Sequence, residues 1–196
     1  MTGILDGLAK NHYRAIAVDP PWSYKTYSEK GDGRGAVQHY DTMTLADIKA
    51  LDVKSVADKD AALFLWVTDT HLEMAFDVLA AWGFRYKTVA FYWVKLNKNG
   101  SPFVGLGHWT RANPETCLLA TRGSPHRLSA DVARLIMSPR REHSRKPDET
   151  FERIMRLVRG PYLDLFGRQQ RPAWTVAGDQ PDKFPMRIPA DLEDVI

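Results

Sequence analysis

The sequence predicts an α/β fold, a mostly parallel sheet with helices on both faces, and three observations lead to it. Short apolar runs of strand length alternate with amphipathic stretches of helical period. Ala61–Val67 (AALFLWV) is apolar throughout, as expected of a strand covered on both faces. With 196 residues, 44% hydrophobic and 26% charged, the chain has room for one substantial core, and disordered and fibrous classes are excluded.

The elements follow in order. Ala15–Val18 reads as a short buried strand that stops at Asp19-Pro20-Pro21, since proline has no N–H for a central ladder. Thr44-Leu-Ala-Asp47 resembles a capping box, with Asp for the usual Glu, and opens a short helix through Leu51. Thr70-His-Leu-Glu73 is a cleaner capping box. It places Leu72, Ala75, Phe76 and Leu79 on one helical face, with Gly83 as the stop. Thr88–Val94 and Thr116–Thr121 are again strand-like. Pro147 suits a first helical turn, and Phe151, Ile154, Met155 and Val158 form an apolar stripe ending near Gly160-Pro161. Tyr162–Phe166 and Trp174–Ala177 read as two strands joined by a short polar connection.

Open α/β sheets place ligand sites at the carboxyl ends of their strands. Three predicted strand ends carry polar residues of chemical interest: Asp19, Gly167-Arg168 and Gly178-Asp179-Gln180.

Several function classes are excluded or disfavoured. The chain contains no GxxxxGK[ST] phosphate loop, GxSxG elbow or HExxH zinc helix, and no run approaching the ~18 apolar residues of a membrane span. Its single cysteine, Cys117, rules out an internal disulfide framework or a multi-cysteine zinc site, and no histidine pair has metal-ligand spacing on a helix. No secretory signal is evident at the N-terminus, so a cytoplasmic, reducing compartment and no resident metal are expected. The net charge of +3 is unevenly spread: residues 121–171 hold twelve Lys and Arg against six Asp and Glu, and the remainder is acidic by three. A basic segment on a near-neutral body suits a polyanionic partner, or else is a solvated face.

The most informative motif is Asp19-Pro20-Pro21-Trp22, with Tyr24 just beyond. The prolines fix the backbone and supply carbonyls, so Asp19 and its neighbours could accept hydrogen bonds from a planar amine. An exocyclic adenine amine is a poor nucleophile because its lone pair is delocalised into the ring. Acceptors for its two hydrogens would localise that lone pair for in-line attack on an electrophilic methyl. Trp22 could stack a base. The alternative is a strand followed by a Pro-Pro turn with a packing Trp.

With these residues in view, the chain resembles, over about residues 11–182, the adenine-N6 methyltransferase family named after the seventy-kilodalton subunit of mRNA adenosine methyltransferase. Beyond the tetrapeptide, the resemblance rests on ordered blocks: His39-Tyr40 with Thr42-Met43, Leu63–Thr68, Trp82-Gly83-Phe84, Trp93-Val-Lys95, Gly107-His-Trp109, Glu115–Leu118, His143–Glu149 and Leu165–Arg168. It implies a Rossmann-like, S-adenosylmethionine-dependent methyltransferase fold in permuted order, with the catalytic motif ahead of the cofactor-binding region. It also implies one methyltransferase domain over 1–196, its core about 11–182, with Met1–Lys10 as a short extension and Asp191–Ile196 as an acidic tail.

The same resemblance assigns roles. Asp19, Pro20, Pro21 and Trp22 would be catalytic. Lys146 would pair with the cofactor's methionine carboxylate, a fitting task for an ammonium beside a helix start. Asp19, Asp164, Gly167, Arg168, Arg171, Asp179 and Gln180 would complete the cofactor site, although Asp164 stands where the family usually has Glu and Asp179 where it has Asn. Tyr24, Tyr40, His108 and Trp109 would border the target base, each with an anchoring role as the alternative. Arg140, Arg141 and Arg145 could contact phosphates. The implied activity is methylation of the N6 amine of adenine in nucleic acid, DNA ahead of RNA. Rivals are a non-catalytic nucleic-acid-binding subunit and methylation of a free nucleobase, nucleotide or protein amine. Relatives often pair, so a homodimer or heterodimer stays open.

Overall fold

A computed structural model describes residues 3–23, 42–107, 109–142 and 145–184. Its centre is a seven-stranded sheet in the order β5-β3-β4-β2-β1-β6-β7. In chain order the strands are β1 (Tyr13–Val18), β2 (Ala57–Val67), β3 (Arg85–Leu96), β4 (Glu115–Arg122), β5 (Leu135–Pro139), β6 (Tyr162–Leu165) and β7 (Trp174–Ala177). The helices are α1 (Leu45–Ala50), α2 (Val53–Val56), α3 (Leu72–Ala81) and α4 (Asp148–Leu157).

Six strands run one way. β1 pairs in parallel with β2 and β6, β6 with β7, and β3 with β5. Only β4 is reversed, antiparallel to both β2 and β3. This has a functional consequence. The start of β4 lies at the same sheet edge as the carboxyl ends of the other strands, so Glu115 joins that edge although it precedes its strand's apolar run.

Strand alternation divides the core into two layers. Ile16, Val18, Leu63, Leu65, Leu118 and Leu163 face Ile48, Val53, Val56, Ala75, Val78 and Trp82 of the α1–α3 side. Ala15, Ala17, Phe64, Trp66, Phe91, Trp93 and Ile136 face Phe151, Ile154 and Val158 on the α4 side. Helices therefore cover both faces, as the sequence predicts. Ile4, Leu5 and Leu8 also pack on the first layer, which attaches the segment before β1 to the same body.

The local signals explain most boundaries. Thr44 caps α1, its hydroxyl accepting from the Asp47 N–H at 3.1 Å. Gly83 ends α3 at φ 76°, a left-handed geometry that glycine adopts freely. The expected capping box at Thr70 does not form. A 3₁₀ turn over Asp69–His71 comes first, and His71 becomes the residue preceding α3. The buried face of α3 also differs: Ala75, Val78 and Leu79 point inward, whereas Leu72 and Phe76 are exposed. The inward stripe is rotated one step from the expected face, and the exposed Phe76 ring instead meets Tyr86 edge-on, centroids 5.3 Å apart. β5 was not foreseen, because only Ile136 of its Leu135-Ile-Met137 segment is buried and an edge strand shows no continuous apolar run.

Candidate active site

The tight strand packing fixes Asp19 at the carboxyl end of β1, between β2 and β6. Lys146, immediately before the Pro147 cap of α4, reaches back across the edge. Its Nζ lies 2.6 Å from Asp19 Oδ2 and 3.2 Å from Glu115 Oε2. Glu115 is held in turn by Lys95 at the end of β3, Nζ to Oε1 2.5 Å. Four side chains from separate regions thus form an alternating row: Lys95, Glu115, Lys146, Asp19.

The electrostatics follow from that order. Burial alone would raise Glu115, but Lys146 and Lys95 outweigh it and hold the carboxylate at about 2. Burial would likewise strip the proton from Lys146, and Asp19 and Glu115 more than reverse this, so the ammonium keeps its charge more firmly than a free lysine. Lys146 also lies 5.3 Å from the Trp66 ring, a further interaction that favours the cation.

The tetrapeptide is pinned on every side. Trp22 N–H donates to the Pro20 carbonyl at 2.8 Å, and Met43 N–H to the Pro21 carbonyl at 2.8 Å. Each carbonyl keeps a second lone pair. The Trp22 indole donates to the Trp66 carbonyl at 3.2 Å, and its ring stacks on His71, centroids 5.3 Å apart. Trp22 is 5% exposed, so it packs the loop and presents no open face to a base in this structure.

A second cluster lies beside β6 and β7. Asp164 is buried on β6, and burial raises its carboxyl to about 7 against the pull of Arg171, with Asp19 raising it further and Lys146 lowering it. Arg171 donates to Asp164 Oδ2 and to the Gln169 carbonyl, both at 3.0 Å, and lies 3.7 Å over the Phe151 ring. Its guanidinium is turned into the protein and orients Asp164. Gly167 allows the turn after β6, since a Cβ there would lie 2.6 Å from both Asp164 Oδ2 and Val176 Cγ1. Gly178 has a similar constraint, its Cβ position lying 2.7 Å from the Gly167 carbonyl. Arg168 is half-buried in this turn, and Asp179 and Gln180 are exposed just past β7.

The three strand ends singled out in the sequence therefore lie on adjacent parallel strands, at one edge. The basic segment is less uniform than expected. Arg141 pairs with Asp148 at 2.7 Å, and Arg145 donates to Gln169 at 3.1 Å and Glu142 at 3.0 Å. Both guanidiniums are thus engaged within the protein. Arg140 is exposed, stacked 3.8 Å over Phe103, and has no ion pair among the described residues. Trp109 is 93% exposed on the loop between β3 and β4. Tyr24, Tyr40 and His108 lie outside the described residues, as does the tail Asp191–Ile196.

Lys95, Glu115 and His71 were not singled out as site residues. Lys95 and Glu115 each adjoin an apolar strand run, which was the available signal. What was missing was the reversed direction of β4, which brings them together. Among the described residues no group of His, Cys, Asp and Glu could hold a metal ion, and no helix is long and apolar enough to cross a membrane.

An α/β sheet with acidic and basic side chains gathered at its carboxyl edge, glycines easing the turns after β6 and β7, and a pinned Asp-Pro-Pro-Trp loop is a Rossmann-like fold of the methyltransferase class. The MT-A70 family profile matches residues 13–180, and the chain belongs to that family. Among curated proteins it is 29% identical to the type II methyltransferase M.MunI of Mycoplasma sp, covering 95% of this chain and 85% of that one. It is 31% identical to the N(6)-adenosine-methyltransferase MT-A70-like protein of Drosophila melanogaster, covering 91% of this chain and 28% of that one. The human N(6)-adenosine-methyltransferase catalytic subunit METTL3 is 29% identical over 91% of this chain and 30% of its own length. The chain thus spans less than a third of these two eukaryotic relatives.

Proposed function

We propose that this protein transfers a methyl group from S-adenosylmethionine to the N6 amine of adenine in nucleic acid, with DNA as the substrate. The observation that carries this reading is Asp19, held by Lys146 at the edge of β1 and followed by two proline carbonyls that each retain a free lone pair.

The residues fit the cofactor by their chemistry. A buried ammonium, two carboxylates and glycine-lined turns stand at one edge, and Asp164 senses both Asp19 and Lys146. Lys146 has three N–H donors, of which Asp19 and Glu115 take two, leaving one for a carboxylate. Asp164 suits ribose hydroxyls, with Gly167, Arg168, Asp179 and Gln180 nearby in the chain. Arg171 acts behind Asp164. The cofactor, when bound, supplies an electrophilic methyl group.

Asp19 and the Pro20 and Pro21 carbonyls would accept the two hydrogens of the adenine amine and draw its lone pair out of the ring. The pinned loop fixes these acceptors before substrate arrives, so little ordering remains to be done in the transition state. After transfer the amine carries an excess proton, and the Asp19 carboxylate is the acceptor at hand. In a duplex the base must first leave the stack.

DNA is preferred because the type II methyltransferase is matched over most of its own length, whereas the two N(6)-adenosine methyltransferases above are matched over less than a third. The test is incorporation of tritiated methyl groups into matched DNA and RNA oligonucleotides. Label in RNA alone overturns the choice of DNA, and label in neither overturns the reading.

A further inference from the structure

We infer that His71 is a positioning residue for methyl transfer, holding the Asp-Pro-Pro-Trp loop in its working shape from outside the reacting groups. The inference rests on the methyl-transfer reading above and extends it to a residue with no place in that chemistry.

His71 is 8% exposed and comes from the far end of β2, where Thr68 starts a single 3₁₀ turn ahead of α3. Its Nε2 lies 3.0 Å from the Ser23 carbonyl. A carbonyl only accepts, so Nε2 carries the hydrogen and donates it. Nδ1 faces the hydroxyls of Thr68 and Thr70 at 2.8 and 3.1 Å on the opposite side of the ring. The Ser23 carbonyl thereby sets which nitrogen donates, and the two threonines hold the orientation of the ring. Its flat face stacks on Trp22 at 29° between planes. One imidazole thus grips the loop twice, through the Trp22 ring and the Ser23 backbone, just beyond the proline carbonyls.

Those carbonyls and Asp19 are useful only if aimed at one amine, and a displacement of about 1 Å can cost on the order of a hundredfold in rate. The cofactor-side cluster around Asp164 and Arg171 does not touch His71 in any hydrogen bond described above. Loss of the grip should therefore reduce turnover while sparing cofactor affinity.

The test compares His71→Phe, which keeps a ring for stacking but loses the donor, with His71→Gln, whose amide can donate to Ser23. Val78→Ala, a core change on α3, serves as a control for lost stability. Methyl transfer to mixed-sequence duplex oligonucleotides is measured alongside calorimetric binding of S-adenosylmethionine. His71→Phe is expected to lose roughly ten- to a hundredfold in kcat with its cofactor Kd within about twofold of wild type. His71→Gln should recover most of the loss, and Val78→Ala should keep kcat despite a lower Tm.

Unchanged kcat in His71→Phe overturns the inference, as does an equal loss in all three variants. If His71→Phe does not fold, Thr68→Val combined with Thr70→Val removes the hydroxyls behind the ring. A several-fold fall in kcat supports the inference, and no fall overturns it. A wild-type protein that methylates no adenine overturns the function and this inference together. An active wild type with an indifferent His71→Phe overturns only the latter.

Discussion

Lys146 Nζ stands 2.6 Å from Asp19 Oδ2, joining residues 127 positions apart in the chain. The ammonium comes from the approach to α4 and the carboxylate from the end of β1, so the contact ties the Asp-Pro-Pro-Trp loop to the α4 side of the sheet. Glu115 and Lys95 extend the tie into the β3–β4 half of the sheet.

Removing Lys146 should therefore cost both stability and cofactor binding. Lys146→Met leaves Asp19 and Glu115 facing each other's charge without the cation between them. Loss of one partner from a buried ion pair costs about 3 kcal/mol, which corresponds to a fall in Tm of roughly 6–12 °C for a chain of this size. Calorimetry should also show weakened S-adenosylmethionine binding. A Tm within a degree of wild type would contradict the pairing.

The pH dependence has a definite sign. Glu115 sits at about 2 in the folded protein, below its ordinary value of 4.5. The unfolded chain therefore takes up this proton first as pH falls, and the stabilisation is complete above about 4.5 and lost on the way to 2. The advantage of wild type over Glu115→Gln should be largest at neutral pH and shrink below pH 4.5, as read by urea unfolding at each pH.

Gly167→Ala tests the turn after β6. A methyl group there would meet Asp164 and the Val176 side chain at 2.6 Å, so β6 and β7 must shift apart where the cofactor is expected. We predict at least a tenfold weaker cofactor Kd, about 1.4 kcal/mol, in a protein that still folds. Isothermal titration decides it.

The basic segment divides into distinct roles. Arg140→Ala should lower the salt dependence of nucleic-acid affinity by about one unit of slope, the signature of one lost phosphate contact. Arg141→Ala removes a partner of Asp148 at the start of α4, one that lies closer to it than Arg171, and should lower Tm instead. Anisotropy titrations over a range of salt, paired with thermal melts, separate the two.

Much of this was legible in the sequence, for reasons that differ by element. The β1 and β6 strands and the second half of β2 are buried, and short apolar runs announce such strands. The convergence of Asp19, Gly167 and Gly178 followed from parallel neighbours. The direction of β4 did not, because an antiparallel strand buried on both faces has the same composition as a parallel one. Lys95 and Glu115 were hidden by that ambiguity. His71 was hidden because its partner is a backbone carbonyl 48 residues away, which leaves no side-chain pattern to read. In sequence Arg141 and Arg145 read as phosphate contacts and Arg171 as part of the cofactor site. Only the placement of Asp148, Gln169 and Asp164 shows them turned inward.

The most direct test of the central claim is methylation of mixed DNA and RNA by the purified protein with S-adenosylmethionine, followed by nucleoside mass spectrometry, with Asp19→Ala beside wild type. The account predicts N6-methyladenine in the DNA from wild type, and none from Asp19→Ala although that variant still binds the cofactor. Full activity in Asp19→Ala, or a methyl group found anywhere other than the adenine N6, would contradict it.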